Sequence, residues 1–241
     1  MILTAHQPCY IPWFGLFHKI HLSEMFCLFD IAQYQIKDFN NRNKIKTNTG
    51  GIWLTVPVES KDHFKKKICD IRIINNGWNK KHFKSIMFAY KKADYFEQYI
   101  YDLNNILNVK EYKFLTDLNF DILLCMMNWL HINVPVVKAT DYNFEGKKSD
   151  LVLDMCIKLG AKKYIFGALG KNYANVQSFR DKGVEPFFQK YIHPIYKQLN
   201  GDFIPYMSAL DLIFNEGPRS KEIMLQNNIN NLNLKYNDYV F

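Results

Sequence analysis

No run of about 18 apolar residues occurs in this 241-residue chain, so a membrane-spanning helix is not expected. Residues 1–30 lack a basic segment ahead of an apolar core, and Met1-Ile2-Leu3-Thr4-Ala5 reads as a buried strand, not a secretory signal. Cysteine is sparse. The five (Cys9, Cys27, Cys69, Cys125, Cys156) are odd in number and contain no CxxC pair, which argues against a disulfide framework or a zinc knuckle. Four of them lie in apolar stretches, where a thiol behaves as a small core group. These absences together place the protein in a reducing cytoplasm. Also missing are GxxxxGK[ST], GxGxxG after a strand, GxSxG and HExxH, and no predicted helix carries metal-ligand spacing, so no metal is expected.

What is present describes a folded chain. Apolar residues make up 48% and aromatics 16%, which excludes a disordered polymer. The length suits one large domain, or one domain with a helical insert. A net charge of +8 points to an anionic partner and leaves nucleotide, nucleotide-sugar, acyl thioester and nucleic acid open. A lysine-rich solvated surface would carry the same charge.

The pattern along the chain predicts an α/β fold. A strand at 1–5, a helix at 14–22 and a strand at 25–29 make a compact βαβ unit. Pro8 and Pro12 force the chain between the first two through an extended path. Residues 37–50 are polar and basic and read as a loop or hairpin arm; 52–58 and 68–74 alternate and are expected to pair. Between Trp78 and His131 the apolar spacing changes to three helical stripes. Further on, a helix at 151–159 capped by Ser149 or Asp150, strands at 163–166 and 185–189, and helices at 209–215 (capped by Ser208) and 220–226 are expected. The tail at 227–241 keeps hydrophobes and is expected to pack. The expected organisation is an N-terminal α/β half (1–77, with its basic arm), a helical subdomain (78–133), and a C-terminal α/β half (134–241) completing the same core.

In open α/β sheets ligands bind beyond the carboxyl ends of the strands. That rule collects His6 and Gln7, then Asp30 and Gln33, then Gly167, with His193 beyond the 185–189 strand. Tyr10 and Trp13 crowd His6, and Arg42, Asn43 and Lys46 of the arm can fold over the same edge. Guanidinium and ammonium groups suit a phosphate. Each residue also has a plain structural reading: a packed histidine, a carboxylate that caps by pairing, aromatics in the core.

The strings His6-Gln7-Pro8-x-Tyr10-x-Pro12-Trp13-x-Gly15, Asp30-x-x-Gln33-Tyr34, Arg42-Asn43-x-Ile45-Lys46 and Trp53-Leu54-Thr55-Val56-Pro57 resemble the WbqC-like family. So do Gly167 with Tyr173, Gln189-x-Tyr191-x-His193-Pro194-x-Tyr196, and Ser208-x-x-Asp211-x-x-Phe214-Asn215-x-Gly217. The resemblance runs through nearly the whole chain in order. It implies a place in bacterial O-antigen or surface-polysaccharide biosynthesis and a nucleotide-linked amino sugar awaiting an acyl or aminoacyl group such as glycine. At the level of fold it implies a three-layer Rossmann-like core similar to the nucleotidylyltransferase-like group that includes pantothenate synthetase. Those enzymes carry an HxGH-type motif where this chain has Trp13-Phe14-Gly15-Leu16, so the likeness stops short of that motif.

The first expectation is therefore an enzyme that forms an amide on an amino-sugar nucleotide. His6 would act as base near neutral pH, Gln7 or Asn43 would steady the oxyanion, Arg42 and Lys46 would grip the diphosphate, and Trp13 or Tyr34 would stack on base or sugar. Asp30 and His193 are further catalytic candidates; Tyr10, Gln33, Gly167 and Tyr173 are binding candidates. No cofactor is specified, and the reaction would draw on an acyl or aminoacyl donor or on ATP. The alternatives are an ATP-dependent amide ligase of similar fold, a scaffold in a glycan assembly, or a non-catalytic module binding carbohydrate or, less favoured, nucleic acid, for which basic residues interleaved with aromatics are suited.

Overall fold

The structure, a computed structural model, describes residues 1–229. In chain order its elements are β1 (Ile2–His6), α1 (Phe14–Leu22), β2 (Met25–Leu28), β3 (Arg42–Thr47), β4 (Gly50–Thr55), α2 (Trp78–Tyr90), α3 (Phe96–Asn104), α4 (Leu115–Trp129), β5 (Val136–Lys138), α5 (Ser149–Lys158), β6 (Lys163–Phe166), α6 (Val176–Asp181), β7 (Glu185–Phe188), α7 (Ala209–Glu216) and α8 (Ser220–Leu225). Five strands form one parallel sheet in the order β5-β2-β1-β6-β7. The chain thus moves outward from β1 to β5, then returns to the other side of β1 for β6 and β7.

Parallel strands are covered on both faces and so read as nearly continuous apolar runs. Alternate residues here join different clusters. Leu3, Cys27, Tyr164 and Phe166 pack with Val152, Met155 and Cys156 of α5 and Phe179 of α6. Ile2 and Ile165 pack with Leu22 of α1 and with Phe187. Helix α1 forms because Phe14, Phe17 and Ile20 make one fully buried stripe; it stops at Ser23, whose backbone N–H and Oγ both donate to the Ile20 carbonyl. Each such side chain contributes about 1.5–3 kcal/mol. The α2–α4 helices share a single large cluster with Tyr10, Ile45, Leu54 and α7.

Several local expectations are revised. The strand at 50–55 pairs with the basic arm, Arg42 opposite Thr55 through Thr47 opposite Gly50, while 68–74 contributes isolated bridges, Ile73 to Val58 and Arg72 to Phe114. Val136–Lys138 is a strand that its three residues do not announce, and α6, capped by Asn175 accepting from the Ser178 N–H, is a further addition. Ser149 does not cap α5: it lies inside the helix, and its Oγ accepts from the Asn175 N–H. Ser208 stands at the N-cap of α7 but makes no side-chain cap bond. The expectation for the tail beyond 229 lies outside the described residues.

Candidate functional site

The strand order reverses between β1 and β6. Thr4 is opposite Ile165, so His6 and Gly167 stand two residues further on, at neighbouring strand ends. His6 Nδ1 lies 2.8 Å from the Gln7 carbonyl oxygen, which can only accept; Nδ1 therefore carries the proton, and Nε2 offers a lone pair with no partner among the described residues. Burial, helped by the Lys19 cation, pushes the imidazole down to about 4, against a small upward pull from the Gln7 carbonyl. The ring is thus neutral throughout the physiological range, below the near-neutral titration expected from sequence. Gln7 accepts from Asn40 Nδ2 at 3.3 Å through Oε1, leaving its own amide N–H groups to donate.

The loop that follows is strained and braced. Ile11, fully buried, has φ 44°, a left-handed conformation that is an outlier for a β-branched residue and costs about 1–3 kcal/mol. Asn43 Nδ2 holds its carbonyl at 2.7 Å, Asn40 Nδ2 holds that of Pro8 at 2.8 Å, and Asn119 Nδ2 in turn holds that of Asn40 at 2.8 Å. Beneath the loop lies Lys19 of α1, only 3% exposed, donating to the Ala5 carbonyl at 2.9 Å. Cys9 Sγ is 3.6 Å from His6 Nδ1, and burial pushes this thiol up to about 12.

Asp30 follows β2, beside β1. Its Oδ1 accepts from the Thr140 N–H at 3.0 Å and its Oδ2 from the Thr140 hydroxyl at 2.9 Å, tying the ends of β2 and β5 together. Burial raises its pKa, opposed by those Thr140 bonds. Gln33 is exposed, and Tyr34 is buried with its ring edge-on to His63. Arg42 donates to the Lys37 carbonyl and stacks 4.2 Å over the Trp53 ring, while Lys44 Nζ lies 4.9 Å from the same ring. Asn43 and Lys46 are engaged inward: Lys46 Nζ donates to the Asp202 carbonyl at 2.6 Å and its N–H to Tyr90 Oη at 3.0 Å. Tyr10 is fully buried, its hydroxyl 2.8 Å from His82 Nδ1.

His193 belongs to other surroundings. It follows β7, an edge strand two places from β1, roughly 10 Å away at the usual strand spacing. Nδ1 lies 2.8 Å from the Pro194 carbonyl and Nε2 accepts from the Tyr206 N–H at 3.1 Å, so both ring nitrogens are used. Trp13 packs edge-on to Tyr191 and Tyr206 and folds over Gly15, where a Cβ would come within 2.3 Å of the indole. Gly167 opens the turn after β6, with open space where a side chain would stand, and Tyr173 is exposed with its ring edge-on to Phe166. Among the described residues no group of three His, Cys, Asp or Glu is arranged to hold a metal.

Sequence reasoning passed over Lys19, Asn40 and Asn119. Lys19 had one readable cue, its place between Phe17 and Ile20 on a helix with little polar surface. It also left Asp211 without a role. That carboxylate is fully buried and accepts from Tyr90 Oη and Tyr196 Oη, each at 2.9 Å.

Fold and site together define an α/β protein with a parallel sheet and a polar cluster at the carboxyl ends of its central strands. The chain belongs to the WbqC-like protein family, whose profile matches residues 7–223. It is 32% identical over 219 residues to a Mycobacterium tuberculosis (strain ATCC 25618 / H37Rv) protein described as "Uncharacterized protein Rv1507c", covering 90% of this chain and 95% of that one. No solved structure matches. No helix among the described residues is long and apolar enough to cross a membrane.

Proposed function

We propose that this protein is a cytoplasmic enzyme of bacterial surface-glycan biosynthesis that transfers an acyl or aminoacyl group to the amine of a nucleotide-linked sugar. The observation that supports this most is the His6 imidazole, neutral, fixed in one tautomer, and presenting Nε2 at the strand end where the order reverses. That order matches the first five strands of the 3-2-1-4-5-6 dinucleotide-binding sheet, so we read the core as three-layered and Rossmann-like, with 78–133 as an inserted helical subdomain between two halves of one core.

In the reaction the amine nitrogen attacks the carbonyl carbon of an activated acyl donor. The C–N bond forms, and the nitrogen's surplus proton becomes strongly acidic. His6 Nε2 takes it at that stage and passes it to the leaving group as the bond to that group breaks. A ring with a pKa of about 4 suits this late transfer, and it stays unprotonated at working pH. Gln7 N–H groups donate to the oxyanion. We give that task to Gln7 alone, because Asn43 is committed to the Ile11 carbonyl. Lys46 is likewise committed and Tyr34 is buried, so Arg42 and Trp13 remain for the carrier, and Asp30 and His193 hold the frame.

The test is turnover of an amino-sugar nucleotide with an acyl or aminoacyl donor by wild type and His6→Ala. A loss of about 100- to 10,000-fold in kcat with KM little changed is expected. An undiminished rate in the variant would discard the assignment.

One observation favours a second reading. Trp53 (41% exposed) and Phe39 (48%) stand beside the Arg42 and Lys44 cations, a platform suited to stacking a base. Binding of single-stranded RNA that weakens steeply with salt and is lost in Trp53→Ala would support it.

A further inference from the structure

Buried charges in proteins are normally paired, because an ammonium taken out of water costs several kcal/mol unless something compensates it. Lys19 is 3% exposed, yet among the described residues it has no carboxylate within ion-pair distance and one hydrogen-bond acceptor, the Ala5 carbonyl. A lysine ammonium has three donors to satisfy. The groups that face it are His6 at the end of β1 and Cys9 on the loop above; the first is neutral and the second a thiol. Elsewhere the fold handles buried ionisable groups differently. Asp211 has both oxygens satisfied by tyrosines, and Asp30 has both satisfied by Thr140. Lys19 is therefore an uncompensated cation at the very strand end where the sheet order reverses. At the neighbouring strand ends, Gly167 after β6 leaves open space where a side chain would stand, and His6 Nε2 has no partner among the described residues.

We propose that Lys19 is the built-in counter-charge for a phosphate-bearing ligand, whose diphosphate seats at the neighbouring ends of β1 and β6. Direct contact is not required, since a charge in a poorly solvated interior acts over several ångströms. The inference rests on the β1 end being the ligand site, but not on the amide-forming chemistry. Burial already lowers the Lys19 ammonium to about 8, so the empty protein holds the lysine partly deprotonated in mildly alkaline solution. An arriving anion favours the charged form and draws a proton in.

The experiment is calorimetric titration of the full-length protein with inorganic pyrophosphate at pH 8.5, in two buffers of different ionisation enthalpy. Binding accompanied by proton uptake is expected from wild type. Lys19→Met is expected to bind at least 10-fold more weakly and, without ligand, to melt no lower than wild type, because a charge kept for a ligand is a burden on the fold. If Lys19→Met does not fold, Lys19→Gln and the proton uptake of wild type decide. Pyrophosphate binding unchanged in either variant, no binding by wild type, or a proton uptake by wild type no greater than that of the variants would each overturn the proposal. Amide formation in a protein whose pyrophosphate binding ignores Lys19 would sink this inference alone. Lys19-dependent binding without amide formation would sink only the transferase.

Discussion

Two polar centres are buried in this molecule, and both fall on motif-dense stretches of sequence. Around Asp211, the carboxylate network is closed, with only the nearby Ser208 hydroxyl left over: two tyrosine hydroxyls donate to the carboxylate, Tyr90 Oη also accepts from the Lys46 N–H, and Lys46 Nζ ends on the Asp202 carbonyl. Around His6, the accounting is open: an imidazole nitrogen and the Gln7 amide donors have no partner among the described residues, the lysine lacks a carboxylate, and the loop is held in a strained turn at Ile11. A satisfied network stiffens a fold, whereas an unsatisfied, strained one is a burden unless a ligand completes it. The difference teaches that the pattern of residues marks both centres alike, and only hydrogen-bond satisfaction separates the frame from the candidate site.

The contrast breaks most visibly at its closed end. Asp211→Ala removes two charge-assisted hydrogen bonds of about 1.5–3 kcal/mol each and strands two tyrosine hydroxyls. Urea unfolding should show a loss of about 3–6 kcal/mol, while His6→Ala should lose activity with a much smaller change in stability. A tolerant Asp211→Ala, within about 1 kcal/mol of wild type, would mean that the network is not the fastening described.

Histidine titration sharpens the same contrast. His82, buried against Tyr10, is pushed down to about 4 by burial, opposed by its bond to the Thr55 backbone. Its ordinary value is near 6.5, so the unfolded chain binds the extra proton between those pH values and the folded one does not. The stability it contributes is complete above about pH 6.5 and is lost as pH falls toward 4, at up to about 1.4 kcal/mol per pH unit. His6 and His18, also lowered to about 4, act in the same direction. The urea midpoint should therefore fall steadily from pH 7 to pH 4.5, and His82→Asn should flatten the slope by about one proton. Equal midpoints at the two ends of that range would contradict the burial of all three.

The sheet was legible because its strands are covered on both faces. Met25–Leu28 and Lys163–Phe166 are four-residue, largely apolar runs, and Phe14, Phe17 and Ile20 keep helical spacing. β5 was not, since Val136-Val137-Lys138 is too short to show a period and is strand only because β2 lies beside it. The pairing of 42–47 with 50–55 was hidden by polar Asn43 and Lys46, whose burial depends on what α2 and the 202–208 segment place over them. The positions of His6, Gln7 and Gly167 just beyond strand ends were readable from the strand pattern. Their partners were not readable, because satisfaction is a tertiary property. Tyr10 and Lys46 looked available and are used, whereas Lys19, which drew no reading, is buried.

The finest test lies in one hydroxyl of the closed region. Ser208 sits at the N-cap of α7, and a serine there normally accepts from the first turn and loses about 1 kcal/mol on replacement by alanine. Here its Oγ is buried without a partner, while its N–H is used, donating to the Lys44 carbonyl. Removing an unsatisfied buried hydroxyl relieves its desolvation, so Ser208→Ala should be neutral or stabilising by about 0.5–1 kcal/mol. A loss above about 1 kcal/mol would show the cap bond formed in solution, and would make the region around Asp211 more completely satisfied than the geometry has it. A gain would confirm that this buried hydroxyl, next to the satisfied Asp211 carboxylate, has no partner in solution either.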